Sequence, residues 1–224
     1  MEEYDIFQDI AQRTGGDLYI GTVGPVRTGK STFIQRFLEL LVLPSIEDDY
    51  ARQRAHDEMP QSGAGRTIMT AEPKFVPAEG AEVTIDQGLS FRVRLVDSVG
   101  FPVEGALGYY EEDGPRLVKT PWYDELIPFE QAAEEGTERV VRDHSTMGIV
   151  VTTDGSITEI PRISYLPAER RAVEALKNVG KPFVVLLNSA HPDHPETEQL
   201  SIDLEAEYGV PVLPVDVSRM GIDT

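Results

Sequence analysis

Residues Gly24-Pro-Val-Arg-Thr-Gly29-Lys30-Ser31 satisfy the pattern G-x-x-x-x-G-K-[ST] at every defined position. The chemistry that fits this spacing is the grip of a polyphosphate. Glycines let the backbone curl around a phosphate with no Cβ in the way. Successive amides and the N-terminus of the following helix then offer partial positive charge to it. A lysine at position 30 is placed to bridge β- and γ-phosphates, and a hydroxyl at position 31 to ligate Mg²⁺. Gly24, Arg27, Thr28, Gly29, Lys30, Ser31 and Thr32 are therefore the expected nucleotide-contacting residues. A chance glycine turn entering a helix is the bland alternative.

A second constellation lies downstream. Asp97-Ser-Val-Gly100 ends the strand Val93 to Val96. A carboxylate there can hold Mg²⁺ through a water, and the Gly100 amide can reach a γ-phosphate. Alone, an aspartate at a strand end is usually a turn former. Between the two motifs, Gly65-Arg-Thr-Ile-Met-Thr70 occupies the place where nucleotide switches carry a γ-phosphate-sensing threonine. Thr67 and Thr70 both qualify, and Thr70 is preferred. The expected catalytic set is thus Lys30, Thr70 and Asp97, and the expected metal set is Ser31, Thr70 and Asp97.

Base choice is read from an absence. GTPases of this layout recognise guanine with an Asn-Lys-x-Asp run after a strand, whereas the run here is Asn188-Ser-Ala-His191. Losing a bidentate charged contact removes most of the discrimination against adenine. ATP is the expected substrate, with Asn188 lining the base pocket and Asp216-Val-Ser218 closing it. Phe101 occupies the place where small GTPases often carry the glutamine that orients water, so turnover is expected to be slow. Arg27 and Arg66 are candidates for charge stabilisation, or else surface ion-pair arginines. The four histidines show no ligand spacing.

These residues need elements to hold them. Asp17 to Val23 reads as a buried strand and Ser31 to Leu41 as a helix, closed by Pro44. Ser45 is a candidate cap for a short helix through about Ala55. Glu82 to Ile85 and Leu89 to Val96 flank Asp86-Gln-Gly88 as a hairpin. Phe101 to Ile127, dense in Gly, Pro, Glu and Tyr, reads as a long insertion rather than a core element. Helices are expected at 128–143, 168–179 and 195–208, and strands at 148–153, 183–188 and 210–215. Alternating helices and β-branched runs predict a three-layer α/β domain of the P-loop NTPase, GTPase-like kind. Its sheet is mostly parallel, with one antiparallel hairpin strand, and one domain spans 1–224.

The bulk composition narrows the partners. The 224 residues carry 20 basic and 39 acidic side chains, a net charge of −19. Such a surface repels nucleic acid and anionic lipid. No apolar run reaches the ~18 residues of a membrane span. The acidic N-terminus is unlike a secretory signal, and no cysteine is present, in keeping with a cytoplasmic protein.

Several stretches go beyond these motifs. Tyr19 to Phe33, Gly65 to Thr70, Glu72-Pro-Lys-Phe75, Asp143-His-Ser-Thr146 and Val151 to Ile157 resemble the stage IV sporulation protein A family of endospore-forming bacteria. The likeness runs from Phe7 to about Val217. It implies an N-terminal ATPase domain of a longer protein that hydrolyses ATP and polymerises into the basement layer of the spore coat. It further implies self-association, contacts with other coat proteins, and location on the mother-cell side of the forespore surface. A small membrane-anchoring peptide would be bound through regions absent here. By position, Lys30 would be the phosphate lysine, Asp97 the magnesium-linked aspartate and Thr70 the sensor. The family's Thr-Thr pair is here Thr70-Ala71, leaving Thr70 as the bearer.

Overall fold

The computed structural model describes residues 16–60, 73–85 and 89–222. Three apolar, β-branched segments form its centre: β1 (Asp17–Val23), β8 (Met147–Thr153) and β9 (Phe183–Asn188). They are buried along most of their length, as strands covered on both faces must be. The six-stranded sheet runs in the order β10-β9-β8-β1-β3-β2, with β10 at Val212–Val215. All neighbours are parallel except β2 (Lys74–Ile85) against β3 (Leu89–Asp97).

Alternate residues of each strand face opposite layers. Val150, Val185 and Leu187 pack with Phe129, Tyr165, Leu176 and Leu204, which come from α3 (Phe129–Asp143), α4 (Arg162–Val179) and α5 (Pro195–Tyr208). Val151 and Leu186 pack on the other side with Phe33, Ile34 and Leu38. The first two of these belong to α1 (Lys30–Phe37). The expected three-layer α/β architecture is present, with one antiparallel pair.

The boundaries differ where local signals conflict. Helix α1 gives way to a π-helical segment at Leu38–Val42 and a 3₁₀ turn at Leu43–Ser45 that contains Pro44. The next helix, α2 (Asp49–Asp57), is capped by Asp48, whose Oδ1 accepts from the Ala51 N–H at 2.6 Å. Ser45 instead donates to the Leu41 carbonyl. Strand β2 begins eight residues before the expected start, because an irregularity between Val76 and Ala81 absorbs Pro77 and Gly80. Helix α4 starts at Arg162 despite Pro167. The proline has no N–H for the carbonyl of Ile163 and its ring crowds that carbonyl, but Ile163 is a solvent-exposed first-turn residue.

The 101–128 stretch forms two short ribbons, β4 (Tyr110–Glu111) with β5 (Gly114–Pro115) and β6 (Leu117–Thr120) with β7 (Tyr123–Pro128). Its opening is core rather than appendage. Phe101, Val103, Ala106 and Tyr109 are buried with Phe129.

Candidate phosphate-binding site

The parallel strands deliver their carboxyl ends to one edge of the sheet, where ligands of open α/β sheets sit. The turn from β1 into α1 lies at that edge. Gly24 has φ +130°, and a Cβ there would stand 2.4 Å from the Val151 carbonyl oxygen. Only glycine lets the chain pass so close to β8. Arg27 adopts φ 62°, in the left-handed region rarely used by side-chain-bearing residues. It is half-buried in a cleft of about 800 Å³, lined also by Glu104, Ser156, Thr158 and Glu159. The Thr28 hydroxyl is buried and donates to the Pro25 carbonyl at 3.0 Å. Thr32 is half-buried on the first turn of α1.

Lys30 is 5% exposed, and its ammonium donates to the same Pro25 carbonyl at 2.6 Å. Burial pulls its pKa down to about 8, and the Asp97 carboxylate partly opposes that shift. Register sets the second half of the site. Thr22 of β1 stands opposite Asp97 of β3, which brings that carboxylate to the start of α1. The Ser31 hydroxyl donates to Asp97 Oδ2 at 2.8 Å. Burial raises the Asp97 pKa, against the Ser31 hydrogen bond and the charges of Lys30 and Lys74.

Asp97 Oδ1 is buried with no hydrogen-bond partner among the described residues. A hydroxyl and a carboxylate side by side, one oxygen unsatisfied, form a hard-oxygen donor set that suits Mg²⁺. Among the described residues no group of three or more His, Cys, Asp or Glu could hold a metal. Ser31 and Asp97 would therefore share the ion with substrate oxygens and water. Thr70, Thr67 and Arg66 lie outside the described residues.

Gly100 sits against Lys30: a Cβ on it would be 2.4 Å from the Lys30 ammonium nitrogen. Its N–H donates to the Thr137 hydroxyl of α3 at 3.0 Å. The next residue is bound to the glycine turn in both directions. The Phe101 N–H donates to the Gly24 carbonyl at 3.0 Å, and the Val26 N–H to the Phe101 carbonyl at 2.9 Å. The Phe101 ring is 1% exposed and lies under the Arg171 guanidinium at 4.8 Å. It is a packing residue, with no means to orient water.

Asn188, at the end of β9, is buried and braces the turn from outside. Its amide donates to the Thr28 carbonyl at 2.9 Å and accepts from the Val217 N–H at 3.1 Å. Asp216 accepts from the N–H and hydroxyl of Ser218 within its own turn. His191 and His194 are exposed loop residues.

Two clusters escaped sequence reasoning. Asp154 accepts from Ser156, Ser189 and Thr197, tying together the loops after β8 and β9 and the first turn of α5. Glu169, fully buried, takes the Arg162 guanidinium, the Thr152 hydroxyl and the Tyr208 hydroxyl. Thr137 was also missed. A threonine in mid-helix carries no local signal, and only its approach to Gly100 reveals a role.

The family model described as Stage IV sporulation protein A, ATPase domain, matches residues 1–224. Stage IV sporulation protein A of Bacillus anthracis is 58% identical over 220 residues, covering 98% of this chain and 45% of that protein. The Bacillus subtilis (strain 168) protein of the same name is 57% identical over the same coverage. The chain thus spans somewhat under half the length of these relatives. A GTP-binding protein from the archaeon Sulfolobus solfataricus, solved in complex with GDP, superposes with a TM-score of 0.48. Its identity is 16%, over 96% of this chain and 51% of that one.

Proposed function

The chain belongs to the ATPase-domain family of stage IV sporulation protein A, and from that premise we propose that it binds and slowly hydrolyses ATP with Mg²⁺. The observation that carries this reading is the Ser31–Asp97 hydrogen bond beside the buried Lys30 ammonium. A protein of net charge −19 must concentrate positive potential locally to hold a polyphosphate. Lys30, the N-terminus of α1 and the amides of the glycine turn do so. Lys30 would leave the Pro25 carbonyl for β- and γ-phosphate oxygens. Ser31 and Asp97 would hold Mg²⁺, which supplies charge neutralisation on the same oxygens. Thr70 is assigned the γ-phosphate sensor.

In the whole protein, this nucleotide cycle would drive self-assembly into the basement layer of the spore coat. Its place would be cytoplasmic, on the mother-cell side of the forespore surface. Other coat proteins and a small membrane-anchoring peptide would engage regions beyond this chain. Nucleic acid and direct membrane contact are not expected of this domain. Among the described residues no helix is long and apolar enough to cross a membrane.

Competition calorimetry tests the base: ATP should bind tighter than GTP, and a preference for GTP of about tenfold (about 1.4 kcal/mol) would reassign the domain as a GTPase. Buried Phe101 favours a second reading, a coat subunit that holds nucleotide without significant turnover. Phosphate release followed over hours with and without Mg²⁺ separates the two. No release above a Lys30→Ala background selects the structural reading.

A further inference from the structure

The four residues from Asp97 to Gly100 are held unevenly. At one end, Asp97 accepts from Ser31, and the Ser98 hydroxyl donates to the Thr22 carbonyl at 2.8 Å. At the other end, the Phe101 N–H is committed to the Gly24 carbonyl. Between these pins, the Gly100 N–H reaches a single side chain, Thr137, which is fully buried in the middle of α3. The Thr137 hydroxyl donates to its own helix at the Ala133 carbonyl, 2.7 Å away, so its lone pairs are turned outward to accept.

We propose that Thr137 is a positioning residue that reports the length of the bound phosphate chain. Its hydroxyl holds the Gly100 N–H on the α3 side, away from the Lys30 ammonium. A terminal phosphate gripped by Lys30 must take that N–H from Thr137. The proposal deepens the ATPase reading and rests on it.

The pins limit the movement to the Val99–Gly100 peptide, and Gly100, at φ +103°, is free to let that peptide rotate. The exchange trades one buried hydrogen bond for a charge-assisted one. A ligand shifts such a balance only by its differential affinity for the two arrangements. A triphosphate has that difference and a diphosphate lacks it. Breaking the Thr137 contact removes one tie between this peptide and α3, the helix that also carries Glu134 and Glu138 paired to Arg171 above Phe101. The nucleotide state is thereby coupled to the 101–128 stretch.

Thr137→Val keeps the shape but removes the acceptor, leaving the Gly100 N–H unpartnered only in the Thr137-held arrangement. The whole chain, Thr137→Val and Thr137→Ser would each be titrated with Mg²⁺ and either ADP or a non-hydrolysable ATP analogue. The valine variant should bind the analogue more tightly by about tenfold, with ADP affinity unchanged. The serine variant, which restores the acceptor, should match the parent. Equal changes with both ligands, no change, or selective weakening of the analogue overturn the proposal.

Should the valine variant fail to fold, amide hydrogen exchange on the parent chain decides. Exchange around Gly100 and Thr137 must respond to the analogue and not to ADP, and an identical response to both overturns the proposal. If the parent binds neither nucleotide, the ATPase reading itself falls and the proposal with it.

Discussion

The Ser31 hydroxyl and the Asp97 carboxylate lie 2.8 Å apart although 66 residues separate them in the chain. The pairing follows from strand order: β3 is the parallel neighbour of β1, so the end of one strand meets the turn that leaves the other. Asp97→Asn preserves the hydrogen bond from Ser31 but removes the charge available to a cation. Activity and the apparent Mg²⁺ affinity should both fall by roughly 10–100-fold, as for supporting ligands at metal sites. A magnesium titration of turnover checks this, and an unshifted half-saturation point would remove Asp97 from the metal site.

Lys30→Ala should weaken ATP binding by on the order of 100-fold, the scale of truncating one partner of a close charge pair. The fold should survive. Burial already disfavours the Lys30 ammonium, so the folded chain loses little by its removal. Calorimetry reports the affinity, and a cooperative thermal transition reports the fold. Undiminished ATP hydrolysis in this variant would falsify the site assignment.

Asn188 makes two hydrogen bonds to backbone groups far apart in sequence. Asn188→Ala should cost about 2–3 kcal/mol, because the Thr28 carbonyl and the Val217 N–H are left buried without partners. Asn188→Asp should be no better, since a carboxylate cannot donate to Thr28. Urea unfolding gives the loss. A parallel drop in nucleotide affinity is expected, because the Asn188 bond holds the phosphate turn itself.

Asp154 supplies a pH dependence. Burial works to raise its pKa, but hydrogen bonds from Ser156, Ser189 and Thr197 outweigh it and hold the carboxyl below the ordinary 3.8. A depressed carboxyl contributes stability that is complete above its unfolded-state value and lost as pH falls through the folded one. The parent chain should therefore be more stable than Asp154→Asn at neutral pH, with the gap closing below about pH 4. Unfolding midpoints measured across that range check the sign. A gap that widened in acid would contradict it.

Glu169 is a stability residue remote from the phosphate turn. Glu169→Ala leaves the Arg162 guanidinium without its partner in a buried setting and should cost about 3–5 kcal/mol. Replacing both residues by leucine should cost less, because no charge is then stranded and only the Thr152 and Tyr208 hydroxyls lose their acceptor. Denaturant unfolding of the single and double variants tests the asymmetry.

The glycine turn, the strand before it and the helix after it could be read from residues 17–41 alone, since their signals are local. Asp97 was legible because a motif of known geometry stood upstream. Pro77 and Gly80 hid the first half of β2 by breaking its alternation, and Pro167 hid the first turn of α4. In both places tertiary packing overrode a local breaker. The place of Phe101 after the Asp97 motif was legible, but its burial under Arg171 was not foreseen.

Residue order therefore specified the phosphate cradle, the parallel α/β layering and the family, because backbone curvature and hydrophobic periodicity are short-range properties. Folding alone assigned Thr137 to Gly100, Asn188 to Thr28 and Glu169 to Tyr208. These partners lie on different elements, and a hydrogen bond forms only once the sheet brings donor and acceptor within about 3 Å. No spacing along the chain encodes that approach.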